Sequence, residues 1–188
     1  MTAAAGRLAE GGRVIVVDYD PGWPATYEAE KGLLLRTIGD HVVGIEHIGS
    51  TAVPGLAAKP IIDIMVGLRR LEDAAPTIEP LRSIDYEYVP EYEAEIPERR
   101  YFRKGPPGGR THHLHMVVHG GPLWEKHLLF RDYLRAHPET ARAYARLKRD
   151  LAVMFGHDRE GYTDAKITFI RSIEEAAHME RAQCLPRG

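Results

Sequence analysis

From His47 to Val66 the chain reads HIGSTAVPGLAAKPIIDIMV, and no other stretch constrains the fold as tightly. An apolar run, HVVGIEHIG, leads into it and a second, IIDIMVGL, closes it, with a Gly-Ser pair and a Pro-Gly turn between them. The second run is almost continuously apolar, the pattern of an interior strand covered on both faces. Asp63 sits inside it. A carboxylate there must be paired or take part in chemistry, because an unpaired buried charge is strongly disfavoured.

The loop suggests which. Glycine lets backbone N–H groups approach a ligand closely, and a following hydroxyl residue can cap a helical turn. Gly49, Ser50 and Thr51 at a strand end can therefore present donors to a phosphate. Twelve residues separate Ser50 from Asp63, enough for a helical turn, the Pro54-Gly55 turn and re-entry into the neighbouring strand. Lys59 lies in that loop, four residues before Asp63. Asp63 and Ser50 are candidate catalytic residues, Asp63 as metal ligand or base; Gly49, Ser50, Thr51 and Lys59 are candidate phosphate ligands. In the plain structural alternative Ser50 is a helix cap and Asp63 pairs with Lys59 or a nearby arginine.

Elsewhere the patterning alternates between strand and helix. Residues 1–12 are Ala/Gly-rich and are expected to be disordered. RVIVVDYD reads as a strand, and the next segment has Tyr27, Leu34, Leu35 and Ile38 at helical spacing, ending at Gly39. RRLEDAAPTIEPLRSI reads as a helix broken or delayed by Pro76 and Pro80. DYEYVPEYEAEIPERRYFRKG holds two strand segments around a polar loop, and THHLHMVVHG another strand. From Pro122 onward the chain reads as three helices, the second starting at the proline of AHPET and the third running through YTDAKITFIRSIEEAAHMERAQ. The expectation is one α+β domain over 13–188, with a sheet core over about 13–120 and a helical part over about 121–188.

Composition removes several classes of function. A net charge of −2 provides no global field for nucleic acid or acidic lipid. The single cysteine, Cys184, forbids an intramolecular disulfide and a cysteine-rich zinc module, and reads as a tail thiol. No apolar run approaches the ~18–20 residues of a membrane span, and the first residues lack a secretory apolar core. The expected setting is the cytoplasm, with no membrane partner.

Two further groups of residues carry chemistry. HHLHMVVH supplies four of the ten histidines, and His47 precedes the Gly-Ser pair. Neighbouring strands would bring His47, Asp63 and His113 or His115 into one coordination sphere suited to Zn²⁺, Fe²⁺ or Mn²⁺. The alternative is a polar cleft in which these histidines hydrogen-bond to carboxylates or backbone. RRYFRK places Arg99, Tyr101 and Arg103 on one face of a strand, where guanidinium groups can hold phosphate bidentately. Solvated cations on an edge strand are the alternative.

HIGSTAVPGLAAKPIIDIMV resembles the signature of the GrpB family, and the likeness continues in RRYFRK, in RTHHLHMVV and in W…HLLFRDYLRAHP…A..YARLK..LA. It covers the chain from about Val14 to about Ile173. The resemblance implies a nucleotidyltransferase-like mixed β-sheet flanked by helices, with a C-terminal helical segment. In that superfamily a strand-end Gly-Ser is followed by two carboxylates on the next strand and a third on a later one, which together hold divalent metals such as Mg²⁺ or Mn²⁺. Carried over, Gly49 and Ser50 match the Gly-Ser element and Asp63 the first carboxylate. Met65 stands at the second position, and a thioether is a poor Mg²⁺ ligand. The third position falls among His113, His115 and Val117, none of them acidic. Helices that close over the nucleotide in the superfamily make Lys148, Tyr162 and Lys166 candidate cleft residues; surface pairing at helical spacing is the alternative.

Three functions follow from these readings. The first is binding of a nucleotide or phosphorylated small molecule, with nucleotidyl transfer as the reaction. The second is a non-catalytic accessory domain, since GrpB-like domains also occur fused to dephospho-coenzyme A kinase; this chain has no GxxxxGK[ST] loop of its own. The third is a metal-dependent hydrolase built on His47, Asp63 and His115.

Overall fold

The structure, a computed structural model, describes residues 14–184. The expected disordered tail at 1–12 lies outside the described residues, as does the side chain of Cys184.

Five strands form one mixed sheet: β1 (Gly44–Ile48), β2 (Ile62–Leu68), β3 (Tyr86–Tyr88), β4 (Arg100–Lys104) and β5 (His112–Val118), in the order β1-β2-β5-β4-β3. β2 and β5 run parallel at its centre, and every other pair is antiparallel. The continuous apolar run at β2 thus takes an interior place, as its composition demands.

The period of two divides this sheet chemically. On one face Ile62, Ile64, Val66 and Leu68 of β2 join Leu114 and Met116 of β5 and Phe102 of β4. Helix α1 (Trp23–Ile38) covers them with Trp23, Tyr27, Leu34 and Ile38, and α2 (Ile78–Arg82) adds Leu81. Ile64, Leu114 and Phe102 are fully buried, each worth ~2–3 kcal/mol of transfer free energy. The opposite face carries Asp63 and Met65. At its far end Met65, Ile48 and Val117 pack against Trp124 of α3 (Pro122–Ala136). Its near end, around Asp63, is polar.

The last third is helical, as expected: α3, α4 (Pro138–Phe155), α5 (Arg159–Ala165) and α6 (Ile167–Cys184). Both α3 and α4 begin on a proline, whose missing N–H is tolerated in the first turn. Val53, Leu56 and Ala57 from the loop after β1 pack against Leu134, Tyr144, Ala145 and Ile173. This apolar clamp holds the Gly-Ser loop against the helical segment.

Two elements differ from the expectation. Over its described residues, 14–20, RVIVVDYD makes no strand; it contributes a single bridge between Val17 and Ala58. Val14 instead packs with Leu151, Ala152 and Tyr162, so burial against helices replaces sheet pairing for this segment. The final predicted helix breaks at Lys166 into α5 and α6, and α5 is capped by the Asp158 side chain, which accepts from the Gly161 N–H at 2.8 Å. The proline-rich segment behaves as its composition suggests: a 3₁₀ turn over Leu71–Thr77 precedes the short α2.

Candidate functional site

Asp63 stands in register between Ile48 of β1 and His113 of β5, and His113 faces Arg103 of β4. One step along the same face, Met65 lies beside His115, which faces Tyr101. The sheet therefore gathers Asp63, His113, His115 and Tyr101 on one surface. Nδ1 of His113 is 3.0 Å from Oδ1 of Asp63, and Nε2 of His115 lies 3.9 Å from the same oxygen. Burial alone would raise the Asp63 pKa; the imidazole hydrogen bonds outweigh it and hold the carboxyl well below the ordinary carboxylate range. Since a carboxylate only accepts, Nδ1 of His113 carries the proton of this hydrogen bond.

Gly49 follows from the same geometry. Its φ is +70°, and a Cβ there would come within 2.4 Å of Oδ2 of Asp63. Only glycine lets the loop turn that close to the carboxylate.

The helical segment completes the site. Lys148 belongs to the buried stripe of α4, with Ala141, Tyr144, Ala145, Leu151 and Ala152. It is 3% exposed and donates from Nζ to Ser50 Oγ at 2.9 Å, with the Tyr144 ring 4.5 Å away. Lys166, between α5 and α6, lies 4.2 Å from the centre of the Tyr162 ring, and Lys59 lies 4.6 Å from the same ring. Desolvation, with the charge of Lys166 nearby, lowers the Lys148 pKa to about 7. Desolvation, with Lys59 nearby, lowers Lys166 to about 8. Among the described residues neither Lys148 nor Lys166 makes an ion pair with a carboxylate. Lys148 is buried and Lys166 half-buried, and their crowding is relieved in part by the lowered pKa of each.

Several expected site residues are placed elsewhere. His47 is on the opposite face, in register with Ile64 and stacked on Tyr27 with ring centroids 4.6 Å apart. The period of two makes it unable to join Asp63 and His115, which corrects the expected metal set. Burial lowers its pKa to about 4. Thr51, expected to bind phosphate, is 1% exposed; its hydroxyl donates to the Ile61 carbonyl and accepts from Nε2 of His47. Arg103 sits beside His113 in the ladder, but Glu87 of β3 grips its guanidinium bidentately at 2.9 and 2.8 Å and also pairs with Arg110. Arg99 and Tyr101 do reach the site. Tyr101 lies 5.5 and 5.2 Å from the rings of His113 and His115, and Arg99 directs Nη1 at Nδ1 of His115 at 3.4 Å.

The remaining donor set does not fit a two-metal centre. Asp63 is held by histidines, and Met65, at the expected second-carboxylate position, is fully buried among Ile48, Val117 and Trp124. Among the described residues no three or more His, Cys, Asp or Glu side chains are grouped to hold a metal ion.

His127 was missed in the sequence. It lies on the inward stripe of α3 with Trp124 and Arg131, its ring centroid 5.9 Å from that of His115, and burial lowers its pKa to about 3. The three- and four-residue spacing of W-E-K-H-L-L-F-R was the signal that could have found it.

A mixed five-stranded sheet with Gly-Ser at a strand end, a carboxylate on the next strand and a helical cap defines the class. The GrpB protein family model matches residues 13–176, and the chain belongs to that family. A crystal structure of a conserved GrpB protein from Enterococcus faecalis superposes with a TM-score of 0.80 at 38% identity, covering 89% of this chain and 99% of that one. The protein YqkA of Bacillus subtilis is 41% identical over 88% of this chain and 47% of its own length. A dephospho-CoA kinase of Mycolicibacterium paratuberculosis is 29% identical over 84% of this chain and 44% of its own length. The chain thus spans less than half of either curated relative. Among the described residues no helix is long and apolar enough to cross a membrane.

Proposed function

We propose that this chain binds a phosphorylated small molecule, in the first instance a nucleotide, in the pocket formed by Gly49, Ser50, Lys59, Lys148 and Lys166. One observation carries the reading: Lys148 is buried, fixed on Ser50 and without a carboxylate partner among the described residues. Nucleotidyl transfer is the reaction class that these residues support. An acceptor hydroxyl would give its proton to Nε2 of His113 as its oxygen attacks the α-phosphorus. The bond from that phosphorus to the pyrophosphate oxygen breaks, and the lysines hold the charge that develops on the leaving group. Asp63 fixes the His113 ring and stabilises it once protonated.

A second reading, a binding domain without turnover, is favoured by the apolar burial of Met65 where the superfamily pattern has a second carboxylate. The similarity to part of a dephospho-CoA kinase suits that accessory role.

Thermal unfolding against ATP, other nucleoside triphosphates, dephospho-coenzyme A and pyrophosphate, with and without Mg²⁺, Mn²⁺ or Zn²⁺, tests both. A ligand at ~100 times its dissociation constant adds about 2.7 kcal/mol, a rise of ~5–10 °C for a chain of this size. Shifts from phosphorylated ligands that vanish in Lys148→Met support the pocket, and release of pyrophosphate from ATP separates transfer from binding. No shift from any phosphorylated ligand refutes it.

A further inference from the structure

On the β4 side of Asp63 lies a set of donors that the phosphate pocket does not use. Arg99 rests 4.9 Å from the centre of the Tyr101 ring and points Nη1 at His115. Its Nε is buried with no hydrogen-bond partner, and among the described residues the guanidinium makes no ion pair. Arginine cannot shed its charge to escape this environment; Glu95 acts on it through charge alone, and an anion within reach would supply the acceptor its Nε lacks. His115 lies against Arg99 and His127 against His115, and burial biases both toward neutral imidazole, so neither adds a competing charge.

Residues that neighbour these groups in the chain line a cavity of about 480 Å³, together with Leu71, Pro122 and Leu123. Its placement follows from the chain: Pro97 and Glu98 lead into Arg99, Lys126 precedes His127, and Val117 follows His115 on the same face of β5. Mostly apolar walls that also carry Glu98 and Lys126, with a half-buried guanidinium one residue along the chain, suit a ligand with one oxyanionic end and a hydrocarbon or ring body. β5 lies between β2 and β4, so His113 and His115 stand between Asp63 and the segment that Arg99 leads into.

We propose that Arg99, with His115 and His127, binds the carboxylate or phosphate of a second, partly apolar substrate, whose body fills the cavity beside Pro97, Val117 and Leu123. In the terms of the transfer reading, on which this inference rests, that molecule is the acceptor. Its anionic end anchors at Arg99, and its hydroxyl is presented to His113.

Calorimetric titration with octanoate, octyl phosphate and octan-1-ol tests the subsite, using the wild type, Arg99→Met, Leu123→Trp and Lys148→Met. Octanoate or octyl phosphate should bind the wild type even when it is saturated with pyrophosphate, and whichever binds tighter identifies the head group. Arg99→Met should weaken the anionic probes at least tenfold, leave octanol unchanged and keep pyrophosphate binding, which also shows that the variant is folded. Leu123→Trp should block all three eight-carbon probes. Lys148→Met should lose pyrophosphate and keep octanoate. Undiminished octanoate binding in Arg99→Met, displacement of octanoate by pyrophosphate, or no binding of either anionic probe at ~10 mM overturns the subsite. Loss of pyrophosphate binding in the wild type would instead overturn the phosphate pocket and leave the Arg99 subsite to be judged on its own probes.

Discussion

Lys148→Met should stabilise the free protein while abolishing its response to anions. Desolvation lowers the Lys148 pKa from 10.5 to about 7, roughly 3.5 units, which at ~1.4 kcal/mol per unit makes the buried charge cost on the order of 4–5 kcal/mol. Methionine keeps the length and apolar contacts and removes that charge. It also removes the bond to Ser50, worth ~1 kcal/mol. Allowing generously for relaxation around the lysine, a net gain of ~2 kcal/mol remains, or ~4–8 °C in Tm for a domain of this size. The sign with pH follows from linkage. Because the folded pKa lies below the unfolded one, wild-type stability rises as pH increases from about 7 toward 10.5. Lys148→Met should be flatter across that window. Differential scanning fluorimetry from pH 6 to 10, with and without pyrophosphate, reads both effects. A variant less stable than the wild type at pH 7 that still gains from pyrophosphate would refute the reasoning, because it would mean that Lys148 is not a buried charge awaiting an anion.

Other consequences can be checked with simple assays. Sulfate, which does not titrate in this range, should bind more weakly as pH rises through 7 to 8, where Lys148 and Lys166 lose their protons, and calorimetry should show proton uptake on binding. Gly49→Ala meets both a positive φ and the Asp63 carboxylate, and should lower stability by ~2 kcal/mol or more in chemical denaturation. The stability lost in Asp63→Asn should shrink progressively as pH falls below about 3.8, because the depressed pKa of Asp63 contributes fully above that value and its contribution fades only as pH drops toward the much lower folded-state pKa. His47→Ala should leave pyrophosphate binding intact, since His47 faces Tyr27 across the sheet; loss of binding would overturn that placement.

Why the sequence reveals some of this and not the rest is visible residue by residue. IIDIMVGL announced an interior strand because apolar continuity survives any neighbour order, and Asp63 stood out against it. Parity then placed His113 and His115 together correctly, since alternation within one strand is local information. The position of His47 is not local. Whether it joins Asp63 or Ile64 depends on the register between β1 and β2, and a shift of one residue exchanges the faces. Arg103 was misread for a similar reason: its partner, Glu87, comes from β3, and nothing in RRYFRK names it. The lysines are the reverse case. Family resemblance points to Lys148, Tyr162 and Lys166, and the structure brings them together because Val53, Leu56 and Ala57 pack on α4, which carries Lys148, while Leu151 and Ala152 of α4 pack on Tyr162 of α5. RVIVVDYD had strand composition throughout, but tertiary burial beside Tyr162 prevailed over local preference.

The bond between Ser50 and Lys148 joins residues 98 positions apart in the chain. Arg131 to Glu46 spans 85, and Arg149 to Asp18 spans 131. Contacts of such range close large loops and form only after nearer ones have offset the entropy. A nascent chain with its sheet assembled but its last helices still emerging would have the carboxylate, the glycine turn and Lys59, but not Lys148 or Lys166. Affinity for a phosphorylated ligand would therefore arise late in synthesis, together with the docking of α4. Such a ligand would favour the finished molecule over every shorter, partly assembled one.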